Sequence, residues 1–199
     1  MKYERTAIAG FSLIELMVAV SIFAIIALIS APNISDWVNK AKARSNAEAL
    51  QNSIRFAQSE AAKRNRLVEF SLVHSTTTPV AHSVAVDDGT AWIVRVVPSS
   101  QEAATVLQAD VFSQEGVQLK GGNNKTLVFG GLGQVYTDVP SDSIPEPFLS
   151  ATRAYQLVSA GDRHAFCVLV QPGGGVRWCD PSLVSDSRSC PGSAAQSCL

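Results

Sequence analysis

The chain has 199 residues, of which 46% are hydrophobic and 17% charged, and its formal net charge is −1. This length fits one globular domain plus an appendage, and the near-neutral charge excludes a uniformly basic protein. The near-neutral total conceals an asymmetry, since 32–66 carries seven Lys/Arg against three Asp/Glu, whereas 67–199 carries seven against twelve. A basic collar therefore precedes an acidic C-terminal region.

The first ten residues form a short charged leader that ends in Gly10, and an apolar segment of 21 residues, 11–31, follows it. About 20 apolar residues are needed for a helix to span a bilayer. A secretory signal peptide would have a shorter apolar region of about 7–15 residues, with a small-residue cleavage site after it. Because Gly10 precedes the long apolar run, 11–31 is predicted to be a transmembrane or filament-core helix.

Glu15 interrupts this apolar segment. A carboxylate inside a membrane span costs roughly 2.5–3.5 kcal/mol, so Glu15 marks a functional position. Together with its neighbours it forms the pattern GFSLIE at 10–15, which resembles the class III signal of type IV prepilins. The resemblance implies cleavage between Gly10 and Phe11 by a prepilin peptidase, followed by N-methylation of Phe11. It also implies that Glu15 pairs with the N-terminal amine of a neighbouring subunit in a filament.

The helical pattern continues beyond the apolar segment. Pro32 falls inside it, and because proline removes one hydrogen bond and clashes one turn back, it is predicted to kink the helix rather than end it. One helix from about 11 to about 64 is predicted, and its amphipathic half, 32–66, is expected to pack on a sheet. The apolar face of that half comprises Ala47, Leu50, Ile54, Ala57 and Ala61.

After residue 66 the hydrophobic periodicity changes to two. The predicted fold is α+β: a long N-terminal helix with a protruding hydrophobic half, followed by an antiparallel β-rich head at 67–180. A Ser- and Pro-rich tail, 181–199, has too little apolar content to be held without cross-links. Glycine-rich turns are predicted at 121–124, 130–133 and 172–175. Strands are predicted at 67–73, 91–97, 105–112, 125–129, 134–137, 154–159, 164–171 and 176–179.

Four cysteines occur, all late in the chain: Cys167, Cys179, Cys190 and Cys198. Their even number favours disulfides in an oxidising compartment, and their spacings lack the close Cys pairs of zinc sites. A hairpin turning at 172–174 would place Cys167 opposite Cys179, which gives a slight preference for that pair and leaves Cys190 with Cys198. The nested alternative joins Cys179 to Cys190 and Cys167 to Cys198, and would tie the tail over the sheet.

The chain shows no catalytic constellation, metal site or cofactor motif. His74, His82 and His164 are well separated and lie in no nucleophile elbow or metal motif. The glycine-rich segments at 130–133 and 173–175 are not followed by the Lys-Ser/Thr pair or the helix of a phosphate-binding loop, and hairpin turns are the favoured interpretation. The sequence therefore predicts neither an enzyme nor a cofactor-binding protein.

A long N-terminal helix followed by a β-rich head resembles the GspH/FimT family of minor pilins and pseudopilins. In DNA-binding members of this family, a late block reads Gly-Arg-x-Arg-x-Cys. Here Gly175 stands in place of the first arginine and only Arg177 is kept. Arg177 of this block and Arg188, another arginine of the C-terminal region, are possible DNA contacts, with Trp178 as a candidate stacking residue. Nucleic-acid binding is not the favoured interpretation, and Trp178 is instead predicted to pack in the terminal hairpin.

The resemblance implies a minor type IV pilin that acts in the initiation of pilus assembly and lies near the pilus tip. Its implied partners are other minor pilins, the major pilin and the prepilin peptidase. Its implied location is the bacterial inner membrane, with a single span and a periplasmic head, and then the pilus surface. The alternatives are a minor pseudopilin of a type II secretion system and a DNA-binding minor pilin for uptake. The disulfide-bearing tail favours the pilus, since pseudopilins of this type usually lack one.

Overall fold

The computed structural model describes residues 11–74, 83–99, 103–112, 117–122, 124–137, 148–159, 164–192 and 198, except for the side chains of 29–33. The predicted leader 1–10, including Gly10, and His82 lie outside the described residues. The chain divides into two compact units, Met1–Val38 and Asn39–Leu199.

One α-helix, α1, runs from Leu13 to Arg64, which confirms the predicted single long helix. Pro32 lies within α1 and does not end it. The side chain of Pro32 lies outside the described residues, so its kink stays a prediction. Among the described residues, no helix combines the length and the apolar character that crossing a membrane requires.

Asn65 gives the C-terminus of α1 a defined end. Its φ is +50°, in the left-handed region that asparagine tolerates better than most residues. The amides of Asn65 and Arg66 then donate hydrogen bonds to the carbonyls of Ala62 (3.4 Å) and Ala61 (3.2 Å). These bonds satisfy carbonyls that a helix end would otherwise leave without partners. The helix therefore ends where the apolar periodicity predicted.

Nine strands follow the helix. Eight of them match predicted strands to within one residue at each end. β4 was not predicted, because Val117 and Leu119 are its only apolar residues and it is too short to show a periodicity. The strands are β1 (Val68–Val73), β2 (Ala91–Val96), β3 (Thr105–Val111), β4 (Val117–Lys120), β5 (Thr126–Phe129), β6 (Val135–Tyr136), β7 (Arg153–Ser159), β8 (Ala165–Val170) and β9 (Val176–Cys179).

The strands form two antiparallel sheets. Sheet 1 has the order β3-β2-β1-β5-β6, and sheet 2 has the order β4-β7-β8-β9. The pairing of β2 with β3 shifts register between Val94 and Arg95, which places an extra residue in β3. The α+β class, with one long helix and an antiparallel head, is therefore the fold that the sequence predicted.

The main core joins α1 to both sheets. Every residue of the predicted apolar face is fully buried, together with Ala43 one turn earlier. Ala43 and the three alanines of this face let the helix backbone approach the sheets closely, while Leu50 and Ile54 fill the space between helix and sheets. Large side chains from both sheets join the same cluster, among them Phe70 of sheet 1 and Tyr155 of sheet 2.

Sheet 1 departs from the predicted alternation of buried and exposed positions. All six residues of β1 are buried, including Glu69 and Ser71 on the polar side of the alternation. Arg95 of β2 pairs with Glu69 at 2.9 Å, and the Ser71 hydroxyl donates a hydrogen bond to the same carboxylate. Because these polar groups satisfy one another, the second face of β1 can be buried as well.

Candidate assembly interface

The N-terminal segment carries a large exposed apolar surface. Phe11 is 86% exposed, and the large apolar side chains from Leu13 to Leu28 all remain more than half exposed. Exposed apolar surface of this extent is typical of contact with another protein or with lipid. Phe11, the predicted first residue of the processed chain, therefore lies at the start of this exposed apolar surface.

Glu15 lies in the first turn of α1, where the positive end of the helix dipole favours a carboxylate. Within the described residues, Glu15 forms no ion pair. The structure thus provides a carboxylate on an apolar helix and leaves it available to a cation from another molecule.

A stripe of polar side chains on α1 was missed by the sequence analysis. This polar stripe consists of Gln51, Arg55 and Gln58, which are spaced one turn apart beside the apolar face. The Trp178 amide donates a hydrogen bond to Gln51 Oε1 at 2.7 Å, and Arg55 Nη2 donates to the Val176 carbonyl at 2.7 Å. Because β9 is the last strand of sheet 2, these contacts satisfy backbone groups that no neighbouring strand reaches.

The third residue of the polar stripe lies where two hairpin turns meet, one from each sheet. Gln58 Nε2 donates a hydrogen bond to the Gly133 carbonyl at 3.2 Å. Gly133 and Gly174 both have a φ of +82°. A Cβ on Gly174 would lie 2.7 Å from the Gly133 carbonyl oxygen and 2.5 Å from Gln58 Nε2. Glycine is therefore required at 174 both for its backbone conformation and for the close approach of the two turns.

The four cysteines form two disulfides, Cys167–Cys198 and Cys179–Cys190. The slight preference for Cys167 with Cys179 was wrong, although these two residues do lie opposite each other in the β8–β9 register. Both are buried with Leu169 in a small cluster separate from the main core. A bridge between them would only repeat a contact that the hairpin already makes. The nested pairing instead brings tail residues onto this face of sheet 2 and buries it.

The tail also continues the cover of the β9 edge. Asp180 forms a parallel bridge with Ser189, and its amide donates a hydrogen bond to the Arg188 carbonyl at 2.8 Å. The Asp180 carboxylate accepts hydrogen bonds from the amide (2.9 Å) and the hydroxyl (2.5 Å) of Ser182. A Ser- and Pro-rich tail that lacks a core of its own is thus held by cross-links and by hydrogen bonds to the end of β9.

The possible DNA contacts lie in different electrostatic environments. Arg188 donates to Asp186 through Nε (3.3 Å) and Nη2 (3.4 Å). This contact lowers the pKa of Asp186 and raises the pKa of Arg188. Arg177 is exposed on β9 and forms no ion pair within the described residues. The charge of Arg188 is therefore compensated, and Arg177 alone remains a free cation of this pair.

Trp178, a candidate stacking residue, is occupied by packing. The Arg44 guanidinium lies 5.1 Å from the centroid of its ring, and Phe166 contacts it edge-on at 5.9 Å between centroids. Its ring therefore holds β9 against α1, as the packing interpretation predicted. The described residues contain no group of three or more His, Cys, Asp or Glu that could hold a metal ion.

Comparisons with known protein families match two parts of the chain. Residues 46–174 match the family model described as type II transport protein GspH, and residues 5–31 match the prokaryotic N-terminal methylation motif. A search of curated protein sequences found no significant match. The matched head region ends at 174, so β9 and three of the four cysteines lie beyond it.

Two solved structures, both of the type IV minor pilin FimU from Pseudomonas aeruginosa PAO1, are similar to this chain. In one crystal form the TM-score is 0.50 at 17% identity, over 71% of this chain and 90% of that chain. In the other the TM-score is 0.47 at 17% identity, over 68% and 90%. At 17% identity, this similarity to FimU shows only that the two proteins share a fold.

Proposed function

Because the chain belongs to the GspH/FimT family of type IV minor pilins and pseudopilins, we propose that it is a minor subunit of a type IV pilus. In this proposal it acts in the initiation of pilus assembly and is located near the tip. The supporting observation is that the methylation motif at 5–31 overlaps one continuous helix, Leu13–Arg64, whose residues from Ala43 to Ala61 pack in the core of the head. The family is one of structural pilins rather than enzymes.

The proposed maturation follows from the N-terminal residues. A prepilin peptidase cleaves between Gly10 and Phe11, and Phe11 is then N-methylated. Segment 11–31 anchors the subunit in the inner membrane, with the head in the periplasm, until it enters the filament. There the apolar surface of α1 packs among other minor pilins and the major pilin, and Glu15 pairs with the N-terminal amine of a neighbour.

Intact mass of the membrane-extracted protein tests the maturation. The expected species starts at methylated Phe11 in a host with a prepilin peptidase, and at Met1 in a host that lacks the enzyme. An uncleaved chain in the competent host would contradict the proposal. A Gly10→Val variant, which places a bulky side chain at the cleavage site, should remain uncleaved in both hosts and serves as the control.

A second candidate, a minor pseudopilin of a type II secretion system, is favoured by the description of the matched family model. The two disulfides of the tail support the pilus instead. Deletion of the chain distinguishes them: the pilus proposal expects fewer surface pili and unchanged secretion, and the reverse result would replace it. DNA uptake is less favoured, because Arg188 is already paired with Asp186.

A further inference from the structure

A recess of about 300 Å³ lies beside the start of β7, next to the end of β4 and the turn that follows it. Its lining combines two cations, two amide side chains and a hydroxyl. The polar side chains are those of Lys120, Asn124, Thr152, Arg153 and Gln156. No carboxylate belongs to this lining, which is unexpected in a region, 67–199, that has seven Lys/Arg against twelve Asp/Glu.

The two cations of the recess have no acidic partner in the part of the chain that the structure describes. Within the described residues, neither Lys120 nor Arg153 forms an ion pair. Arg153 donates through Nη1 to the Thr126 carbonyl at 2.8 Å and lies near the Tyr155 hydroxyl. Both groups are uncharged, so they orient the guanidinium without neutralising it. Asp88 lies beside the lining, and the Gly121 amide donates a hydrogen bond to its carboxylate at 3.2 Å. Two positively charged residues therefore line one recess, and neither forms an ion pair with a carboxylate of the described residues.

Hydrogen bonds hold the walls of the recess in place. Asn124 Nδ2 donates to the Ala154 carbonyl at 3.3 Å, which ties the turn after β4 to β7. Gln156 Nε2 donates to the Cys198 carbonyl at 2.8 Å, and Cys198 is itself cross-linked to Cys167 of β8. A recess whose walls are fixed before binding costs less ordering entropy when it is occupied.

We propose that this recess binds a carboxylate group presented by an acidic segment of a partner protein. Lys120 and Arg153 would neutralise the carboxylate, and the Thr152 hydroxyl offers a further donor. Nucleic acid fits less well, because its binding requires a row of cations along several phosphates, and Arg188 is paired with Asp186. The inference goes beyond the proposed function and holds for a subunit of either filament.

Fluorescence anisotropy on the mature full-length protein in detergent micelles tests the proposal. The probe is a labelled peptide, acetyl-Asp-Glu-Asp-Glu-amide, and its uncharged match is acetyl-Asn-Gln-Asn-Gln-amide. We expect only the acidic peptide to bind, and Lys120→Gln to weaken it about five-fold or more. Lys125→Gln removes an exposed lysine outside the lining and should leave affinity unchanged. Lys120→Arg should retain binding.

Several outcomes would overturn the proposal. Equal losses in Lys120→Gln and Lys125→Gln would indicate diffuse charge attraction, and equal binding of both peptides would exclude carboxylate recognition. Acetate or inorganic phosphate that displaces the peptide at peptide-like concentrations would identify a small free anion as the ligand. Binding of duplex DNA, but not of the acidic peptide, in a Lys120-dependent manner would identify a nucleic-acid site. Matching thermal melts of the variants confirm that each is folded.

Discussion

Tyr155 is the largest fully buried side chain, and its hydroxyl has no hydrogen-bond partner among the described residues. Burial raises the pKa of this phenol, and the nearby Arg153 opposes that rise only in part, through its charge and an approach to the hydroxyl that falls short of hydrogen-bond geometry. A buried hydroxyl without a partner destabilises the folded state. We therefore expect Tyr155→Phe to raise the free energy of unfolding by on the order of 1 kcal/mol.

Tyr136 provides a matched control, because Gln134 Nε2 donates a hydrogen bond to its hydroxyl at 3.0 Å. Tyr136→Phe should lower the free energy of unfolding by about 0.5–1.5 kcal/mol. Denaturant titration of both variants gives the comparison. A Tyr155→Phe variant that is less stable than Tyr136→Phe would show that the Tyr155 hydroxyl does have a hydrogen-bond partner in the folded protein.

Glu15 is expected to affect assembly and to leave the folding of the head unchanged. Glu15→Val removes the one carboxylate of the exposed apolar surface, while every contact of the unit from Asn39 onwards is retained. The variant should reach the membrane, fold, and enter filaments poorly, as measured by its amount in sheared filaments. Ile14→Val, at the neighbouring exposed position, is the control. Incorporation of Glu15→Val into filaments at the wild-type level would contradict the proposal that Glu15 pairs with a neighbouring subunit.

At the scale of elements, the two disulfides close loops of different length. Cys167–Cys198 has a sequence separation of 31 and Cys179–Cys190 of 11. In the chain-entropy model the longer loop restricts the unfolded chain more, by about 1 kcal/mol for these lengths. Replacing both cysteines of each pair by alanine should therefore cost more for the first pair. Non-reducing peptide mapping verifies the remaining bridge, and a larger loss for the second pair would contradict the entropic account.

The elements themselves were largely predictable from the sequence. Alanine and leucine spacing predicted α1, and the hydrophobic periodicity of two, with glycine-rich turns at three of the strand boundaries, predicted eight of the nine strands. The polar stripe was not predictable, because Gln51, Arg55 and Gln58 resemble an ordinary solvated helix face until β9 is placed beside them. The disulfide pairing could not be determined from the sequence. The strand register of the β8–β9 hairpin places Cys167 beside Cys179 and suggests a bond between them. The native pairing instead brings Cys198 of the tail into the cluster around Leu169, and no sequence pattern indicates that contact.

For the whole molecule, the four edges of the two sheets are each protected differently. β9 is covered by the polar stripe and the tail. β6 is only two residues long, and its last residue, Tyr136, forms a bridge with Phe148. β4 is short and ends in Lys120. On β3, the side chain of Asp110 accepts a hydrogen bond from the Val111 amide at 2.8 Å. Charges, short strands and side-chain caps of this kind oppose edge-to-edge pairing between chains.

The side chains that cover β9 should protect both the stability of the fold and the free edge of sheet 2. Gln51→Ala with Arg55→Ala uncovers the Trp178 amide and the Val176 carbonyl, so it should cost about 1–3 kcal/mol of unfolding free energy. It should also promote association through the freed edge. Asn52→Ala, at an exposed position of the same helix, should do neither. Denaturant unfolding and sedimentation velocity in detergent measure the two effects. A variant as stable as the wild type that also sediments like it would show that Gln51 and Arg55 do not protect the edge of β9.

The tail also affects the order in which the molecule can mature. Cys190 and Cys198 follow every strand in the sequence, so α1 and both sheets can form while these residues are still being synthesised or exported. During that interval the thiols of Cys167 and Cys179 lie side by side across the β8–β9 hairpin. Premature oxidation would join this pair, and thiol–disulfide exchange would then be needed to reach the native bonds. Alkylation of newly exported chains would trap such a Cys167–Cys179 species, and its absence would show that the tail arrives before the oxidant.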